Sequence, residues 1–556
     1  MIIKLANAKV YDPVHGVSGD VRDLYIRDGR LIAPPGPDER IDITHDLSGC
    51  IVMAGAIDIH THIGGGKVNL GRLLLGEDHR HDMAARTDLK RSGGGLATPS
   101  TFTAGYRYAE MGYTACFEPA MMLANARQTH LEMADTPMVD KGAYVLLGND
   151  DFLLQLMAKG ADPRVIRDYV AWTLHSAQAL AVKVVNPGGI NAFKFNQRRL
   201  DLDEPNAHYG VTPRQILHTL SRALVELGVP HPLHVHGCNL GVPGNIETTL
   251  ATIAGAEGLP MHLTHVQFHS YGTEGDRRFS SGAARLAEAV NANPNISVDV
   301  GQILFGQTLT ISGDTMRQYA GCDHAHPKKW ALMDIECDAG CGAVPFRYRD
   351  KSFVNALQWA IGLEIFLQVD DPWRIFLTTD HPNGAPFTSY PHLIRLLMDR
   401  NYRNEALSLI NPEAAAYSNL ASIDREYTLD EIAIMTRAAP ARSLGLHDRG
   451  HLGPGAAADI TVYREQGNPE AMFGRPALVF KDGQLVVRDG EIVLVVHGST
   501  HVVRPEFDAG IERDLSDWYQ RYASYAMENI RVTDEEIEDE GRGGIHVQAC
   551  RDGEAT

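Results

Sequence analysis

Residues 51–66, IVMAGAIDIHTHIGGG, are the stretch around which the rest of the chain is organised. The apolar run 51–59 is bounded by turn residues and is too short for a helix, so it predicts a buried β-strand. His60 and His62 follow at positions i and i+2, which lie on one face of a strand. Both imidazoles therefore leave the carboxyl end of a buried strand together, as two metal ligands would. Since the chain has 25 histidines, one such pair could also arise by chance.

The composition is that of an ordinary globular protein, with 44% hydrophobic and 22% charged residues. A chain of 556 residues can bury a large core and is expected to hold more than one domain. Its net charge of −19 argues against nucleic acid or an anionic membrane surface as the main partner.

The amino terminus and the cysteines favour a cytoplasmic protein. The first residues, MIIKLANAKVYD, lack the features of a signal peptide, and no apolar run reaches the ~20 residues that span a bilayer. The seven cysteines are odd in number and scattered, which suits a reducing compartment. Cys322, Cys337 and Cys341 have poor spacing for a metal knuckle, and no cysteine cluster for an iron–sulfur centre is present.

Strand-rich segments flank the chain at both ends. Residues 2–10 and 22–33 are predicted strands, the latter with Asp28-Gly29 as a hairpin turn. A second strand-rich segment covers 451–497, with turns at Asp482-Gly483 and Asp489-Gly490. We therefore expect a small β-sandwich domain assembled from both chain ends, residues 1–50 and 441–500.

Between these segments, apolar strand-like runs alternate with helical stretches over ~330 residues, which favours a parallel sheet and fits a (β/α)₈ TIM-like barrel. A doubly wound open sheet is the competing α/β fold, but no Gly-x-Gly-x-x-Gly follows the first strand. We assign the barrel to residues 51–440. The predicted strands are 143–147, 181–185, 232–236, 261–266, 296–300 and 374–379, with amphipathic helices at 213–227 and 281–291.

The remaining segment, 501–556, contains a predicted helix at 507–528 and the acidic run 533–540. Runs of like charge are usually solvated, so a solvated, mobile end is expected, with docking to a partner as the alternative.

Candidate metal ligands stand at the ends of several predicted strands, where barrels carry their active sites. Lys183 lies inside the apolar strand AVKVV, so it either extends its ammonium towards the strand end or is chemically altered. A neutral lysine amine can take up carbon dioxide as a carbamate, which can bridge two metal ions. Lys194 is a rival for that role.

Two later strands each carry a pair of histidines, and one of each pair is expected to be a ligand. In PLHVHGCN we favour His236 over His234, and in MHLTHVQFHS we favour His265 over His262, because each lies nearer the strand end. A core histidine with satisfied hydrogen bonds is the alternative at each position.

Asp380 ends the strand RIFLTTD, where it could bind a metal and accept a proton from water, or could cap a helix. Together these nitrogen and oxygen ligands, without a thiolate, fit two zinc ions. Two such ions ~3.5–4 Å apart activate water and polarise a carbonyl, so hydrolysis of a C–N bond is the chemistry indicated.

The pattern resembles the amidohydrolase superfamily, whose β domain is also built from both chain ends; GHLGPGAAADITVY (450–463) resembles its return strand. It is similar in more detail to the A subunit of formylmethanofuran dehydrogenase and to the hydrolase subunit of bacterial formyltransferase/hydrolase complexes. The similarity rests on HTHIGGGKVNLGRLLLGEDHR (60–80), KVVNPGG (183–189), HVHGCNLGVPGN (234–245), THVQFHSYG (264–272) and TTDHPNGAPF (378–387).

The resemblance implies a role for each matching residue. The first zinc would be bound by His60 and His62, the carboxylated Lys183 would bridge both zincs, and Asp380 would be the catalytic carboxylate. The second zinc would be bound by His236 and His265. Asn239, Gln267 and His269 would contact the carrier substrate.

The implied activity is hydrolysis of N-formyl-methanofuran or N-formyl-methylofuran to formate and the free amine, with formyltransferase-like and other subunits, in one-carbon metabolism. The alternative within the family is the A subunit of a molybdenum or tungsten formylmethanofuran dehydrogenase. The Arg-rich, Lys-poor composition, 39 Arg against 12 Lys, favours the bacterial hydrolase. A stand-alone cyclic amidase or aminoacylase, and a structural component without activity, are further alternatives.

Overall fold

A computed structural model describes residues 1–80, 82–189, 200–312, 331–333, 341–538 and 543–550. In chain order its strands are β1 (Ile2–Asp12), β2 (Val17–Arg27), β3 (Arg30–Ile32), β4 (Ile43–Asp46), β5 (Cys50–Ala54), β6 (Ala56–Asp58), β7 (Tyr113–Met121), β8 (Asp140–Leu147), β9 (Ala181–Val185), β10 (Leu233–His236), β11 (Met261–Leu263), β12 (Tyr271–Gly272), β13 (Ser280–Ser281), β14 (Ile296–Asp299), β15 (Gly306–Ser312), β16 (Ala331–Met333), β17 (Cys341–Tyr348), β18 (Ile375–Phe376), β19 (Ile460–Arg464), β20 (Leu478–Lys481), β21 (Gln484–Arg488), β22 (Glu491–Ile492), β23 (Thr500–Val503) and β24 (Ile545–Gln548).

The described α-helices alternate with these strands. They are Gly66–Leu74, Thr101–Glu110, Ala126–Ala134, Asp151–Ala158, Pro163–Ser176, Pro213–Glu226, Ile246–Gly255, Ala283–Ala292, Phe353–Gln368, Tyr390–Met398, Arg400–Leu409, Pro412–Tyr417, Leu429–Ala433, Ala439–Leu444, Pro469–Gly474, Gly510–Tyr522 and Asp534–Ile537. No helix among the described residues has both the length and the apolar character that crossing a bilayer needs.

Eight parallel strands form the predicted TIM-like barrel, in the order β6-β7-β8-β9-β10-β11-β14-β18. The two ends of this series meet where Thr61 pairs with His381 in a parallel bridge. All residues of β9 and β10 are buried, as expected for strands covered on both faces. The closure brings the carboxyl ends of the first and last strands together.

The helices around the barrel follow the predicted amphipathic pattern. Helix Pro213–Glu226 begins with a capping box in which Thr212 and Gln215 satisfy each other's backbone N–H groups. Ile216 and Leu220, four residues apart, are buried on the side that faces the barrel core. The prediction of a helix at 213–227 is therefore confirmed.

The second sheet is built from both chain ends, as predicted. Its nine strands follow the order β22-β21-β20-β19-β5-β1-β2-β3, with β4 also paired to β1. The two halves of the chain meet where β5 pairs antiparallel with β19. The predicted Asp28-Gly29 turn joins β2 to β3, and both of its residues have the positive φ that such a tight hairpin requires.

The opening run 51–59 is two strands instead of the one that we predicted. β5 belongs to the nine-stranded sheet, whereas β6 begins the barrel. Gly55 separates them, and a Cβ atom there would lie 2.1 Å from Thr114 Oγ1. The chain can therefore pass from one sheet to the other at this point only because residue 55 has no side chain.

The end of the chain returns to the barrel, a feature that was not predicted from the sequence. β23 pairs with β8 and with β24, both in parallel. The helix Asp534–Ile537 begins with a capping box, and Ile537 is buried. The acids Asp534, Glu535 and Glu538 are exposed, as predicted for a solvated run, but Ile537 anchors this helix to the rest of the protein. The predicted mobility stays a prediction, and 539–542 and 551–556 lie outside the described residues.

Candidate metal centre

The two histidines of the opening motif point at one carboxylate. His60 and His62 lie in the turn that follows β6, and both are buried. The Nε2 atoms of His60 and His62 lie 3.0 and 3.2 Å from Oδ1 of Asp380, in the turn that follows the last barrel strand, β18. Closure of the barrel thus brings together residues that are more than 300 positions apart in the sequence.

A buried carboxylate stands behind each of these histidines. Nδ1 of His62 lies 2.9 Å from Glu118 on β7, and Nδ1 of His60 lies 3.2 Å from Asp299 on β14. A carboxylate that holds one ring nitrogen fixes the ring and turns the other nitrogen towards a metal. Neither residue was predicted as part of the centre, although an acidic side chain inside an apolar strand is a usable signal.

The buried carboxylates of the centre are ionised. Burial raises the pKa of Asp380, but the neighbouring His265 and His60 outweigh it and hold that pKa well below its ordinary value. The pKa of Asp299 is likewise well below its ordinary value, because His60 and His262 outweigh the effect of burial.

Lys183 reaches the same place from β9. Its Nζ lies 3.3 Å from Nε2 of His60, which is its one polar contact among the described residues. Burial is the largest influence on this amine and lowers its pKa to about 8. A substantial fraction of Lys183 is therefore neutral near physiological pH, and only the neutral amine can form a carbamate.

His234 and His262 take up positions behind the centre. His234 Nε2 lies 3.0 Å from Nδ1 of His60, and its Nδ1 lies 3.0 Å from His231. His262 bridges Ser297 and Asp299 through its two ring nitrogens. Each of these rings is thus held by polar neighbours inside the barrel.

A second histidine group lies beside the first. His236, His265 and His269 are buried and each offers a ring nitrogen, with these atoms all within 4.8 Å of one another. His265 can approach Asp380 because Gly301 lies between them, where a Cβ atom would be 2.4 Å from that of His265. Burial holds the pKa of His265 and of His269 well below the ordinary value, so these rings are neutral.

The donor set fits divalent metal ions. His265 Nδ1 and both ring nitrogens of His269 are buried without a hydrogen-bond partner in the described part of the chain. Buried polar atoms are rarely left without a partner in proteins unless a ligand or ion takes that place. Neutral imidazoles with carboxylates and no thiolate form a set that zinc binds. The assignment of individual ligands stays a prediction.

The predicted substrate contacts lie in different surroundings. Asn239 donates from its amide to Asp201 at 2.9 Å and to Thr248 at 3.2 Å. Gln267 is buried and donates to Tyr271, but its Oε1 has no partner among the described residues. The rival lysine, residue 194, and Cys322 and Cys337 lie outside the described residues.

Comparison with known proteins identifies the family. The model of the amidohydrolase family matches residues 44–494. The chain belongs to the amidohydrolase family. This agrees with the closed barrel, with the sheet built from both chain ends and with the histidines and carboxylate at the carboxyl ends of its strands.

Two relatives match this amidohydrolase over nearly its whole length. The A subunit of the formyltransferase/hydrolase complex Fhc of Methylorubrum extorquens is 43% identical, covering 99% of this chain and 100% of the relative. Protein FwdA of Methanocaldococcus jannaschii is 40% identical, covering 96% of each. A chain of the crystal structure of the M. extorquens FhcABCD complex, determined with methylofuran, matches with a TM-score of 0.93 and 43% identity over 99% of this chain and 100% of that one.

Proposed function

We propose that this protein hydrolyses the N-formyl group of a furan-type one-carbon carrier, methylofuran or methanofuran, in a zinc-dependent reaction that yields formate and the free amine. It acts as one component of a formyltransferase/hydrolase complex in one-carbon metabolism. The observation that carries the proposal is the convergence of His60, His62, Lys183 and Asp380 at one end of the barrel. The full-length similarity to the A subunit of Fhc supports the choice of substrate and partners.

Two zinc ions would be held by His60, His62, His236, His265, Asp380 and a carbamate on Lys183. When bound, such ions lower the pKa of water and polarise the carbonyl under attack. Proton transfer and the positioning of the reacting groups depend on the side chains of this chain.

Asp380 is the proton carrier. Its ionised carboxylate accepts a proton from the attacking water as the water oxygen bonds to the formyl carbon. The same carboxyl then gives that proton to the carrier nitrogen, the C–N bond breaks, and the amine leaves. One water and one formamide thus become one formate and one protonated amine.

The surroundings of Asp380 suit this role. His60 and His62 approach the same carboxylate oxygen, and Asn383 donates from its amide to it at 3.0 Å. The carboxylate is almost fully buried, so its geometry is fixed before substrate arrives. Asp299 and Glu118 hold the two histidines from behind.

The test uses the complex purified from its native source. We expect about two zinc ions per chain and release of formate from the N-formylated carrier. Asp380→Asn should retain its fold and lower kcat by about 10²–10⁴-fold. Asp38→Asn, at an exposed site in the β domain, is the control and should have wild-type activity.

Three outcomes would contradict the proposal. A complex that contains two zinc ions but releases no formate from the N-formylated carrier would rule out the proposed substrate. Molybdenum or tungsten with iron–sulfur centres in the preparation would instead place the chain in a dehydrogenase. Full activity of the chain without partners, on a small cyclic amide or an N-acyl amino acid, would favour a stand-alone amidase or aminoacylase.

A further inference from the structure

The second histidine group contains one more donor than the two histidines assigned to the second zinc. His236 ends β10, whereas His265 and His269 enclose the 3₁₀ turn that follows β11. The ring centroid of His236 lies 4.6 Å from that of His265 and 5.3 Å from that of His269. The His265 and His269 rings are 5.4 Å apart and nearly parallel. Three imidazoles from two neighbouring strands therefore surround one point.

His269 is unlike the other buried histidines of the barrel interior. Both of its ring nitrogens are fully enclosed and lack a well-aligned hydrogen bond among the described residues, with the Cys238 backbone as the polar group that interacts with the ring. His234 and His262, in contrast, use both ring nitrogens in contacts with polar neighbours. A neutral, buried imidazole whose nitrogens lack well-aligned hydrogen bonds is a costly feature unless it serves a ligand.

We propose that His236, His265 and His269 form a three-histidine site that holds one divalent metal ion whether or not Lys183 is carboxylated. This rests on the metal centre of the proposed function and deepens it. Three imidazole nitrogens with one water molecule are a complete ligand set for zinc. The carbamate would then be needed only for the ion at His60 and His62, and for bridging the two ions.

The histidine contacts of Asp380 and Lys183 within hydrogen-bond distance fall on the first group, although Asp380 also neighbours His265. Asp380 and Lys183 both approach Nε2 of His60, which belongs to the first group. The three histidines of the second group satisfy the geometric requirement for a metal site without any carboxylate or lysine. Loading of the second group should therefore not require chemical change of Lys183.

The experiment measures metal per chain in the purified complex after exhaustive dialysis against zinc-containing and then zinc-free buffer. Wild type should retain about two ions, Lys183→Met about one, and the double variant Lys183→Met/His269→Ala none. Cobalt(II) offered to Lys183→Met should give the intense visible absorption of a four-coordinate site. Lys183→Met/His218→Ala, altered at a partly exposed histidine on helix Pro213–Glu226, is the matched control and should retain the ion.

The possible failures are distinguishable. A wild-type complex without metal overturns the metal centre itself and with it the proposed function. Two ions in wild type with none in Lys183→Met would leave the proposed function intact and show that the carbamate is indispensable for both ions. Equal retention in Lys183→Met and Lys183→Met/His269→Ala would remove His269 from the ligand set. Unchanged far-ultraviolet circular dichroism is required of each variant.

Discussion

Lys183 and Lys481 are both completely buried lysines of this protein, and they lie at opposite ends of the barrel. Lys481, on β20, lies 3.1 Å from Asp140 and 3.2 Å from Asp459, and its pKa is raised because these carboxylates outweigh the effect of burial. Lys183 contacts only a histidine ring among the described residues, and its pKa is lowered to about 8. Burial lowers the pKa of both lysines, but the net pKa shifts are opposite because only Lys481 has carboxylates within ion-pair distance among the described residues.

The two lysines show how a buried ion-pair cluster differs from a buried binding site. At the amino end of the barrel, Arg449 joins Lys481 in contacts with Asp140 and Asp459, and the group ties the nine-stranded sheet to β8. Each buried cation there contacts several carboxylates, Asp482 among them. At the carboxyl end, an amine with a lowered pKa and histidine nitrogens without partners in the described part of the chain lie together, which leaves binding capacity for ions.

The largest expected effect tests the structural lysine. Lys481→Met removes one of the two buried cations that contact both Asp140 and Asp459 and leaves Arg449 as the other, so the free energy of unfolding should fall by about 3–5 kcal/mol. Lys183→Met removes a buried amine that has no ion-pair partner among the described residues, so the metal-free chain should be unchanged or more stable. Urea denaturation monitored by circular dichroism measures both.

Lys159→Met, at an exposed position after helix Asp151–Ala158, is the control for loss of a lysine and should leave the urea midpoint unchanged. Similar urea midpoints for Lys481→Met and Lys183→Met would contradict the distinction between a structural lysine at one end of the barrel and a functional lysine at the other.

A second prediction concerns the carboxylates behind the histidines. Glu118→Gln keeps the shape of the side chain but weakens its hold on His62, so zinc affinity should fall by about 10–100-fold. Competition with a chromophoric chelator measures this affinity. Glu364→Gln is a matched control, because Glu364 is equally buried but bonds to Ser281 and Ser418, away from the centre. Equal losses in both variants would indicate general damage.

The smallest effect is a pH dependence of Lys183. Since its pKa is about 8, the neutral fraction and the rate of carbamate formation should rise about five-fold from pH 7 to pH 8 at constant dissolved carbon dioxide. The stabilisation that Lys481 provides should not change in this range, because its raised pKa preserves that stabilisation at every pH below the ordinary lysine value. Bicarbonate-dependent zinc uptake by metal-free complex measures the rate.

Lys183→Met should lose the bicarbonate dependence altogether. A rate that stays flat between pH 7 and pH 8 in wild type, or a dependence that persists in the variant, would assign the carbon dioxide effect to another group.

The sequence determined much of the fold because its signals are local. Short apolar runs predict buried strands, and Asp-Gly pairs predict hairpin turns because both residues can adopt the positive φ that such turns require. The His-x-His pair and Asp380 could be predicted as neighbours because parallel strands present their carboxyl ends at one rim of a barrel. Those inferences require only the order and spacing of residues.

Tertiary structure decided what depends on pairing between distant segments. The position of Gly55 against Thr114 splits the opening run between two sheets, and β23 returns to β8 after the nine-stranded sheet is complete. The contact of Glu118 with His62 and the charge state of Lys183 depend on which side chains lie next to them in the folded protein. No local sequence pattern encodes this. Burial and partners, fixed only when the chain has folded, set the chemistry of residues whose identity the sequence already supplies.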